Sequence, residues 1–197
     1  MHDDGIELYR RFLDGDERGL EQLIALYQHG LFRFIYSYVN DVGLAEDVLT
    51  DTFFTLYYKR PFKETDAASL KTFIYTIARN KALNVLKKRL RRKETSLESL
   101  AEKGDAGLDE HARTMLYGSP EKALERAEEH KALRMALLQL KKEYREVLYL
   151  RFFHNLSVEE IAKITKKNNK QVYNLLTRSK SALKETLTSG GFRYEID

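Results

Sequence analysis

Apolar residues recur along this chain mainly at intervals of three and four, and no segment alternates apolar and polar residues convincingly enough to predict a sheet. Intervals of three and four are the period of an α-helix with one buried face. Only two prolines and ten glycines occur, mostly outside the periodic segments. The pattern therefore predicts an all-α fold.

The N-terminal part of the chain contains several short periodic stretches. Residues 6–13 predict a short helix, and Asp16 or Glu17 opens the next one. Because glycine weakens a helix, we expect His29-Gly30 to interrupt this second helix before it continues at residues 31–39. Asn40-Asp41 is then a candidate cap.

Two stronger helices follow. Residues 45–58 predict an amphipathic helix whose buried stripe is Ala45, Val48, Leu49, Thr52, Phe53 and Leu56. Ser69 is a candidate N-cap for a long helix that ends at about residue 92. Ser119-Pro120 predicts another helix start, and Lys141-Lys142 the end of that helix. We expect a further helix at residues 143–153, with Val147, Leu150 and Phe153 facing inward.

The most specific pattern lies between residues 156 and 184. Ser157 and Glu160 form a predicted capping box at the start of a short helix, which ends in a polar turn at residues 165–168. Asn168 is a candidate cap for a second helix at residues 169–187. Two helices joined by a short turn predict a helix-turn-helix.

The second helix of this motif has an apolar face with Val172, Leu175, Leu176 and Leu183, and an opposite face without acidic residues before Glu185. Asparagine and arginine can hydrogen-bond to base edges, whereas lysine and threonine suit phosphates. We interpret the opposite face as a DNA-binding surface, the alternative being a solvated helix face. Its candidate contact residues are Asn169, Lys170, Gln171, Tyr173, Asn174, Thr177 and Arg178.

The long helix combines an aromatic and polar stripe with a run of cations. Eight cations, Arg79 the first of them, occur up to Lys93 with no acidic residue after Ala78. Rings that stack on bases and cations that meet phosphates suit a single nucleic-acid strand. The alternative for Phe73 is an ordinary core position. The stripe, which spans roughly 80° of the helix, consists of Phe73, Thr76, Asn80, Asn84, Lys87 and Arg91.

The helix at residues 45–58 presents acidic and aromatic residues off its buried stripe. Acidic groups beside an exposed ring predict a protein-binding face, although a solvated face remains an equal alternative. The residues concerned are Asp47, Thr50, Asp51, Phe54 and Tyr58.

A change of composition divides the chain. Residues 94–119 are rich in acidic residues and contain Gly104 and Gly107, which predicts a flexible acidic linker. The predicted organisation is a first domain at residues 1–93, this linker, a second domain at residues 120–188 and a frayed tail at residues 189–197.

Composition excludes several classes of function. The chain has no cysteine, so it has no disulfide and no thiolate metal site. No apolar run approaches the roughly 18 residues of a membrane span, which predicts a cytoplasmic protein without membrane insertion. We find no phosphate-cradling glycine loop, clustered histidines or cysteine nucleophile, and therefore expect neither an enzyme nor a bound cofactor. The net charge of +4 is small, so the distribution of charge matters more than its total.

Three stretches together resemble the sigma factors of bacterial RNA polymerase, of the short extracytoplasmic-function type. Residues 45–53 resemble the polymerase-binding helix of that family. Residues 72–84 resemble its promoter-melting segment, with Ile77-Ala78-Arg79-Asn80 inside the pattern W-L-x-x-I-A-R-N-x-A-x-D. Residues 140–183 resemble its C-terminal domain, including Glu159-Glu160-Ile161-Ala162.

The resemblance implies a subunit that joins core RNA polymerase, recognises the −35 and −10 promoter elements and melts DNA. It implies polymerase contacts at Asp47, Thr50, Asp51 and Phe54. It implies −10 contacts at Phe73, Thr76, Arg79, Asn80, Asn84, Lys87 and Arg91, and −35 contacts at the seven residues given above for the helix-turn-helix. The expected partners are core RNA polymerase, promoter DNA and an anti-sigma factor.

The chain also departs from the family pattern. Phe73 stands where tryptophan is usual, Asn84 where aspartate is usual, and Leu175 where arginine is common. Lys166 and Lys167 replace a small and an apolar residue in the turn, and a lysine with left-handed backbone would cost about 1 kcal/mol relative to glycine.

The alternative function is a two-domain helix-turn-helix regulator whose N-terminal domain senses a ligand or dimerises. A sensor needs a pocket or a dimer face in the first domain, whereas the sequence places a basic and aromatic stripe there.

Overall fold

The computed structural model describes residues 4–59, 69–95, 133 and 135–189. These residues are helical apart from short turns, with no strand among them, so the predicted all-α class is confirmed. The chain divides into two compact units, Met1–Leu116 and Tyr117–Asp197. The division falls within the stretch predicted as a linker. None of the described helices is long and apolar enough to cross a membrane.

Unit 1 contains α1 (Asp4–Leu13), α2 (Glu17–Val39), α3 (Val42–Lys59) and α4 (Leu70–Thr95). Helix α2 is central, since α1, α3 and α4 all pack against it. The core of unit 1 is rich in aromatic rings. The ring of Phe34 meets those of Tyr38 and Tyr75 edge to face, each at 5.2 Å between ring centroids. Tyr75 is buried, and burial raises the pKa of its hydroxyl above the usual value, so the group stays neutral.

A close approach holds α1 against α2. A Cβ atom at Gly19 would lie 2.5 Å from the carbonyl oxygen of Leu8, so only glycine fits this crossing. Tyr9 and Phe12 of α1 are buried, at 1% and 2% exposure. The first helix is therefore part of the core of unit 1.

The predicted cap at the start of α2 is confirmed. Asp16 accepts a hydrogen bond from the Arg18 backbone N–H at 3.1 Å, and Arg11 donates to the same carboxylate at 2.6 Å. The Arg11 hydrogen bond lowers the pKa of Asp16, so the contribution of this contact to stability is fully present above the usual carboxyl pKa and is lost as the pH falls through the lowered pKa.

The predicted interruption at His29-Gly30 is wrong, because α2 runs without a break from Glu17 to Val39. Glycine costs a helix interior about 1 kcal/mol relative to alanine. Burying one large apolar side chain contributes about 1.5–3 kcal/mol. Several such side chains flank Gly30, including the fully buried Leu31, Phe32 and Phe34, and their packing outweighs the glycine.

The corner between α2 and α3 is the predicted cap at Asn40-Asp41. Asn40 has left-handed backbone, with φ 49°, and its N–H donates to the Tyr36 carbonyl. Asp41 accepts from the Leu44 N–H at 3.1 Å. The predicted inward stripe of α3 is buried at all six positions. Its remaining face is therefore turned away from the core of unit 1.

Unit 2 contains a helical segment at residues 135–139, then α5 (Lys142–Leu148), α6 (Val158–Thr165) and α7 (Asn169–Ser189). The predicted break at Lys141-Lys142 is confirmed, because a bend at Leu140 separates the first two segments. The buried Leu137, Leu140 and Leu148 form a core cluster, against which side chains of α5 and α7 pack.

The helix predicted at residues 143–153 changes type after Leu148. Tyr149–Phe153 forms a π-helical turn, in which the His154 N–H donates to the Tyr149 carbonyl at 3.1 Å. Val147 and Leu150 are buried as predicted, but Phe153 is 47% exposed and the prediction that it faces inward is wrong. The wider turn lets its ring stack on Tyr149 at 4.9 Å, along the surface of the helix.

Several predictions lie outside the described residues. These are the frayed tail after Ser189, the helix start at Ser119-Pro120, and the linker beyond Thr95.

Candidate nucleic-acid interface

The first helix of the helix-turn-helix begins with the predicted capping box. The Glu160 N–H donates to the Ser157 hydroxyl at 3.2 Å, and the Ser157 N–H donates to the Glu160 carboxylate at 2.8 Å. The pKa of Glu159 lies below its usual value because its carboxylate accepts from its own N–H and from Ser157. The start of α6 is therefore fixed by side chains of its own first turn.

The turn between α6 and α7 has the left-handed residue that the sequence analysis considered. Lys166 has φ 56° and ψ 42°, a conformation that costs lysine about 1 kcal/mol. Hydrogen bonds hold it, since the N–H groups of Lys166 and Lys167 both donate to the Ala162 carbonyl. Lys167 also forms an ion pair with Glu143 of α5, at 3.0 Å. The turn is thus tied to the helix before it and to α5.

Asn168 caps α7, as predicted, through a reciprocal pair of hydrogen bonds. Its side-chain oxygen accepts from the Gln171 N–H at 2.8 Å, and its own N–H donates to the Gln171 side-chain oxygen at 2.9 Å. This contact was not foreseen for Gln171, which the sequence analysis placed among the DNA contacts.

The two faces of α7 differ in exposure as the pattern requires. Val172 is fully buried, whereas Leu175, Leu176 and Leu183 are half-buried. A polar residue, Ser179, completes the inner face and donates to the Leu176 carbonyl at 2.9 Å. The outer face is exposed at all seven candidate contact residues: Asn169, Lys170, Gln171, Tyr173, Asn174, Thr177 and Arg178.

Two side chains of this outer face have notable surroundings. Tyr173 is 67% exposed, and its ring projects from the first turns of α7. The Thr177 hydroxyl donates to the Tyr173 carbonyl at 3.1 Å, so its oxygen is left to accept from a ligand. The face therefore offers one aromatic surface, several amide groups and two cations to a partner.

The candidate stripe of α4 changes in exposure along the helix. Ser69 caps the helix as predicted, accepting from the Thr72 N–H at 3.2 Å. Phe73 is half-buried, so it is neither a pure core residue nor a free ring. Of the other stripe residues, Thr76 and Asn80 are also half-buried, whereas Asn84, Lys87 and Arg91 are exposed. Arg79, the remaining −10 candidate, is half-buried as well.

The exposed end of the stripe lines a shallow cavity of about 360 Å³. The structure brings Asn84, Lys87 and Arg91 together there and adds Lys88, which the sequence analysis had counted only in the cationic run. Three cations and one amide around a single depression make an anion-binding surface.

The outer face of α3 has the opposite chemistry. Asp47, Thr50, Asp51 and Phe54 are all exposed, as is Tyr58 at 64%. Asp51 lies 3.5 Å from the Lys81 ammonium of α4, in an exposed ion pair of the kind that contributes about 0–1 kcal/mol.

Tyr57 is a candidate contact residue that the sequence analysis missed. Phe54 and Tyr58 have ring centroids 4.1 Å apart, and Tyr57 meets Tyr58 at 4.9 Å. Tyr57 is 40% exposed although its ring also contacts Phe12 of α1. Its spacing of three residues from Phe54 was the available signal, because such residues are neighbours on a helix surface.

Comparison with known proteins follows the same division of the chain. The family model described as Sigma-70 region 2 matches residues 23–92 of this chain. The model described as Sigma-70, region 4 matches residues 130–183. The RNA polymerase sigma-H factor of Pseudomonas aeruginosa is 32% identical over 181 residues, covering 92% of each chain. RNA polymerase sigma factor YlaC of Bacillus subtilis is 28% identical over 170 residues, covering 86% of this chain and 92% of that one.

A solved structure has the same fold. The sigma factor RpoE, co-crystallised with the anti-sigma factor NepR from Bartonella quintana, gives a TM-score of 0.62 at 23% identity. The match covers 85% of this chain and 96% of that one. These findings support a role as a transcription initiation factor over the alternative of a two-domain helix-turn-helix regulator. With a similar relative along nearly its whole length and both regions in the expected order, this chain belongs to the sigma-70 family of RNA polymerase sigma factors, of the extracytoplasmic-function type.

Proposed function

We propose that this sigma factor is a non-catalytic initiation subunit in which α3 binds core RNA polymerase, α4 binds the −10 element and α7 binds the −35 element. The observation that supports the proposal most is on α4, where a half-buried ring and a cation-lined cavity lie along one helix. A regulator that binds only duplex DNA has no use for such a surface, whereas a subunit that melts DNA must hold an unpaired strand.

For the −35 element, we assign base contacts to the amide of Asn174 and the guanidinium of Arg178. Arginine pairs well with guanine and asparagine with adenine in the major groove. Lys170 is suited to a phosphate, and the Tyr173 ring to apolar contact with a thymine methyl group. These residues lie in the first three turns of α7, the part of a reading helix that enters the groove.

For the −10 element, the graded exposure of α4 supports a division of work along the helix. Phe73 is suited to stack on an unpaired base, with Thr76 and Asn80 beside it for polar contacts. Asn84, Lys87 and Arg91 are suited to the phosphates of the same strand, because they surround the cavity described above. Arg79 adds a cation between the two parts.

For core polymerase, the face of α3 supplies acidic groups toward its first half and rings toward its second. We assign the contact to Asp47, Thr50, Asp51 and Phe54 and extend it to Tyr57 and Tyr58. Aromatic side chains and desolvated charges supply much of the energy of protein interfaces.

We further propose that residues 1–93 and 120–188 act as separate domains, and that the protein works in the cytoplasm together with core polymerase. An anti-sigma factor is an expected partner as well, since RpoE, which has the same fold, was crystallised with one.

The test is the affinity of Asp51→Lys for core polymerase, measured by a gel shift with full-length protein. Reversing a charge at a desolvated contact should cost about 2–5 kcal/mol, a loss of roughly thirtyfold or more. Because the change also breaks the ion pair with Lys81, Lys81→Ala is the matched control and should keep its affinity.

A second control is Glu21→Lys, which makes the same charge change at an exposed position of α2. Equal losses for Asp51→Lys and Glu21→Lys would show that only net charge matters, and unchanged affinity of a folded Asp51→Lys would reject the α3 contact.

A further inference from the structure

The cap of α7 fixes the side-chain amide of Gln171. A backbone N–H can only donate, so the Gln171 atom 2.9 Å from the Asn168 nitrogen is its amide oxygen. By the same reasoning, the Asn168 atom 2.8 Å from the Gln171 nitrogen is its side-chain oxygen. Asn168 precedes the first residue of α7, and Gln171 is its third. The pair therefore closes a reciprocal capping box.

This contact is incompatible with one way of reading DNA. To recognise adenine, a glutamine must turn its oxygen and nitrogen side by side toward the base edge. The oxygen of Gln171 is turned toward the backbone of the turn, where it accepts from the Asn168 N–H, so the two amide atoms are not placed side by side toward a base while the cap is closed.

We infer that Asn168 and Gln171 are positioning residues, which set the direction of the first turn of α7 and do not read bases themselves. The inference rests on the proposed role of α7 at the −35 element. Lys170, Tyr173 and Asn174 project from the first two turns, so their positions depend on whether that first turn is formed.

The neighbouring turn makes the cap important. The residue two positions before Asn168 is Lys166, whose left-handed backbone is a disfavoured conformation for a lysine. The first N–H groups of a helix lack partners within it, and an uncapped first turn frays. The cap supplies partners to the N–H groups of both Asn168 and Gln171.

The experiment uses holoenzyme reconstituted from core polymerase and the full-length chain. The probe is a promoter duplex library randomised across the −35 region, which gives both affinity and base preference. Asn168→Ala, Gln171→Ala and the double variant are compared with the cap-preserving changes Asn168→Ser and Gln171→Glu. Measurements are made well below the unfolding temperature of each variant, recorded by circular dichroism.

The two alanine variants should each bind about three- to tenfold more weakly at every −35 sequence, as expected for a lost cap. The double variant should lose no more than either single variant, because both changes remove the same device. Asn168→Ser keeps a side-chain oxygen that can accept at the cap and adds no charge, so it should keep affinity close to that of the wild type. Gln171→Glu should keep the preference profile, with a uniform loss from its added negative charge.

Three results would overturn the inference: a relaxed preference at one base pair in Gln171→Ala alone, wild-type affinity in both alanine variants, or fully additive losses in the double variant. Failure of the proposed −35 function would give a different result. In that case Arg178→Ala, at a proposed base contact, would bind every −35 sequence as the wild type does.

Discussion

The candidate faces of α4 and α7 both carry cations and amides and contain no acidic residue, yet they expose these groups differently. In α7 the whole candidate face is exposed from its first turn onward, including Tyr173 at 67%. In α4 the aromatic end of the stripe is half-buried, and only the cationic end is exposed. Helix α7 therefore has a uniformly exposed outer face, whereas α4 has a graded surface, on which the exposure of the side chains increases along the helix.

This difference matches two forms of DNA. A uniform rod fits the major groove of a duplex, whose base edges and phosphates are already in place. A graded surface fits a strand that has been opened, because an unstacked base needs a shielded ring and its backbone needs exposed cations. Similar residue types can thus serve duplex and single-strand contacts, depending on how deeply their helix is embedded.

The largest expected effect separates the two helices directly. Asn80→Ala combined with Lys87→Ala should lower open-complex formation on duplex promoter about a hundredfold, because a neutral hydrogen bond contributes about 0.5–1.5 kcal/mol and one to a charged group about 1.5–3 kcal/mol. Core binding and −35 preference should stay unchanged. Permanganate reactivity of promoter thymines measures the opened region.

A promoter with a pre-melted −10 region supplies the control for that variant. It should restore initiation in part, since the energy of opening is then provided in advance. Wild-type reactivity of the double variant on duplex DNA would remove the melting role from α4 and erase the contrast with α7.

The next effect concerns base reading by α7. Asn174→Ala or Arg178→Ala should cost about 1–3 kcal/mol in affinity for the preferred −35 sequence and relax preference at one position. Ser181→Ala changes an exposed residue of the same helix outside the candidate set and should have no effect. Selection from a library randomised in the −35 region gives the profile, and an unrelaxed profile in both variants would contradict base reading.

The smallest expected effect is a change in the salt dependence of DNA affinity, measured for one lysine of each helix. Lys170→Ala should reduce the slope of log affinity against log salt by about 0.9 on duplex DNA, and Lys87→Ala by about 0.7 on a single strand. Fluorescence anisotropy of holoenzyme on each probe measures the slope. Lys184→Ala, an exposed cation later in α7, should leave the duplex slope as it is.

The local parts of the fold were predictable from the sequence because their causes are local. The caps at Asp16, Ser157 and Asn168 each depend on residues within one helical turn, and all three formed as expected. The buried stripe of α3 follows from helical period alone. Family motifs then supplied the candidate site residues, whose roles stay predictions.

The predictions that were wrong failed because packing and a change of helix type outweighed the sequence pattern. Gly30 does not break α2 because buried neighbours on both sides outweigh its propensity, and propensity was all that the sequence displayed. Phe153 is exposed because one turn widens after Leu148, which no periodicity predicts. The cap contact of Gln171 was not foreseen either, because helical spacing does not show that its side-chain oxygen accepts from the Asn168 N–H, and its DNA contact stays a prediction.

The close crossing at Gly19 has a practical consequence for dissecting the protein. The matched family region begins at residue 23, whereas the buried Tyr9 and Phe12 belong to α1. A fragment that started at residue 23 would lack α1 and the beginning of α2, and would uncover surface that α1 covers, including Tyr27, whose ring lies against Gly5. Exposed patches of this kind promote aggregation. A fragment intended to represent unit 1 should therefore keep Asp4–Leu13.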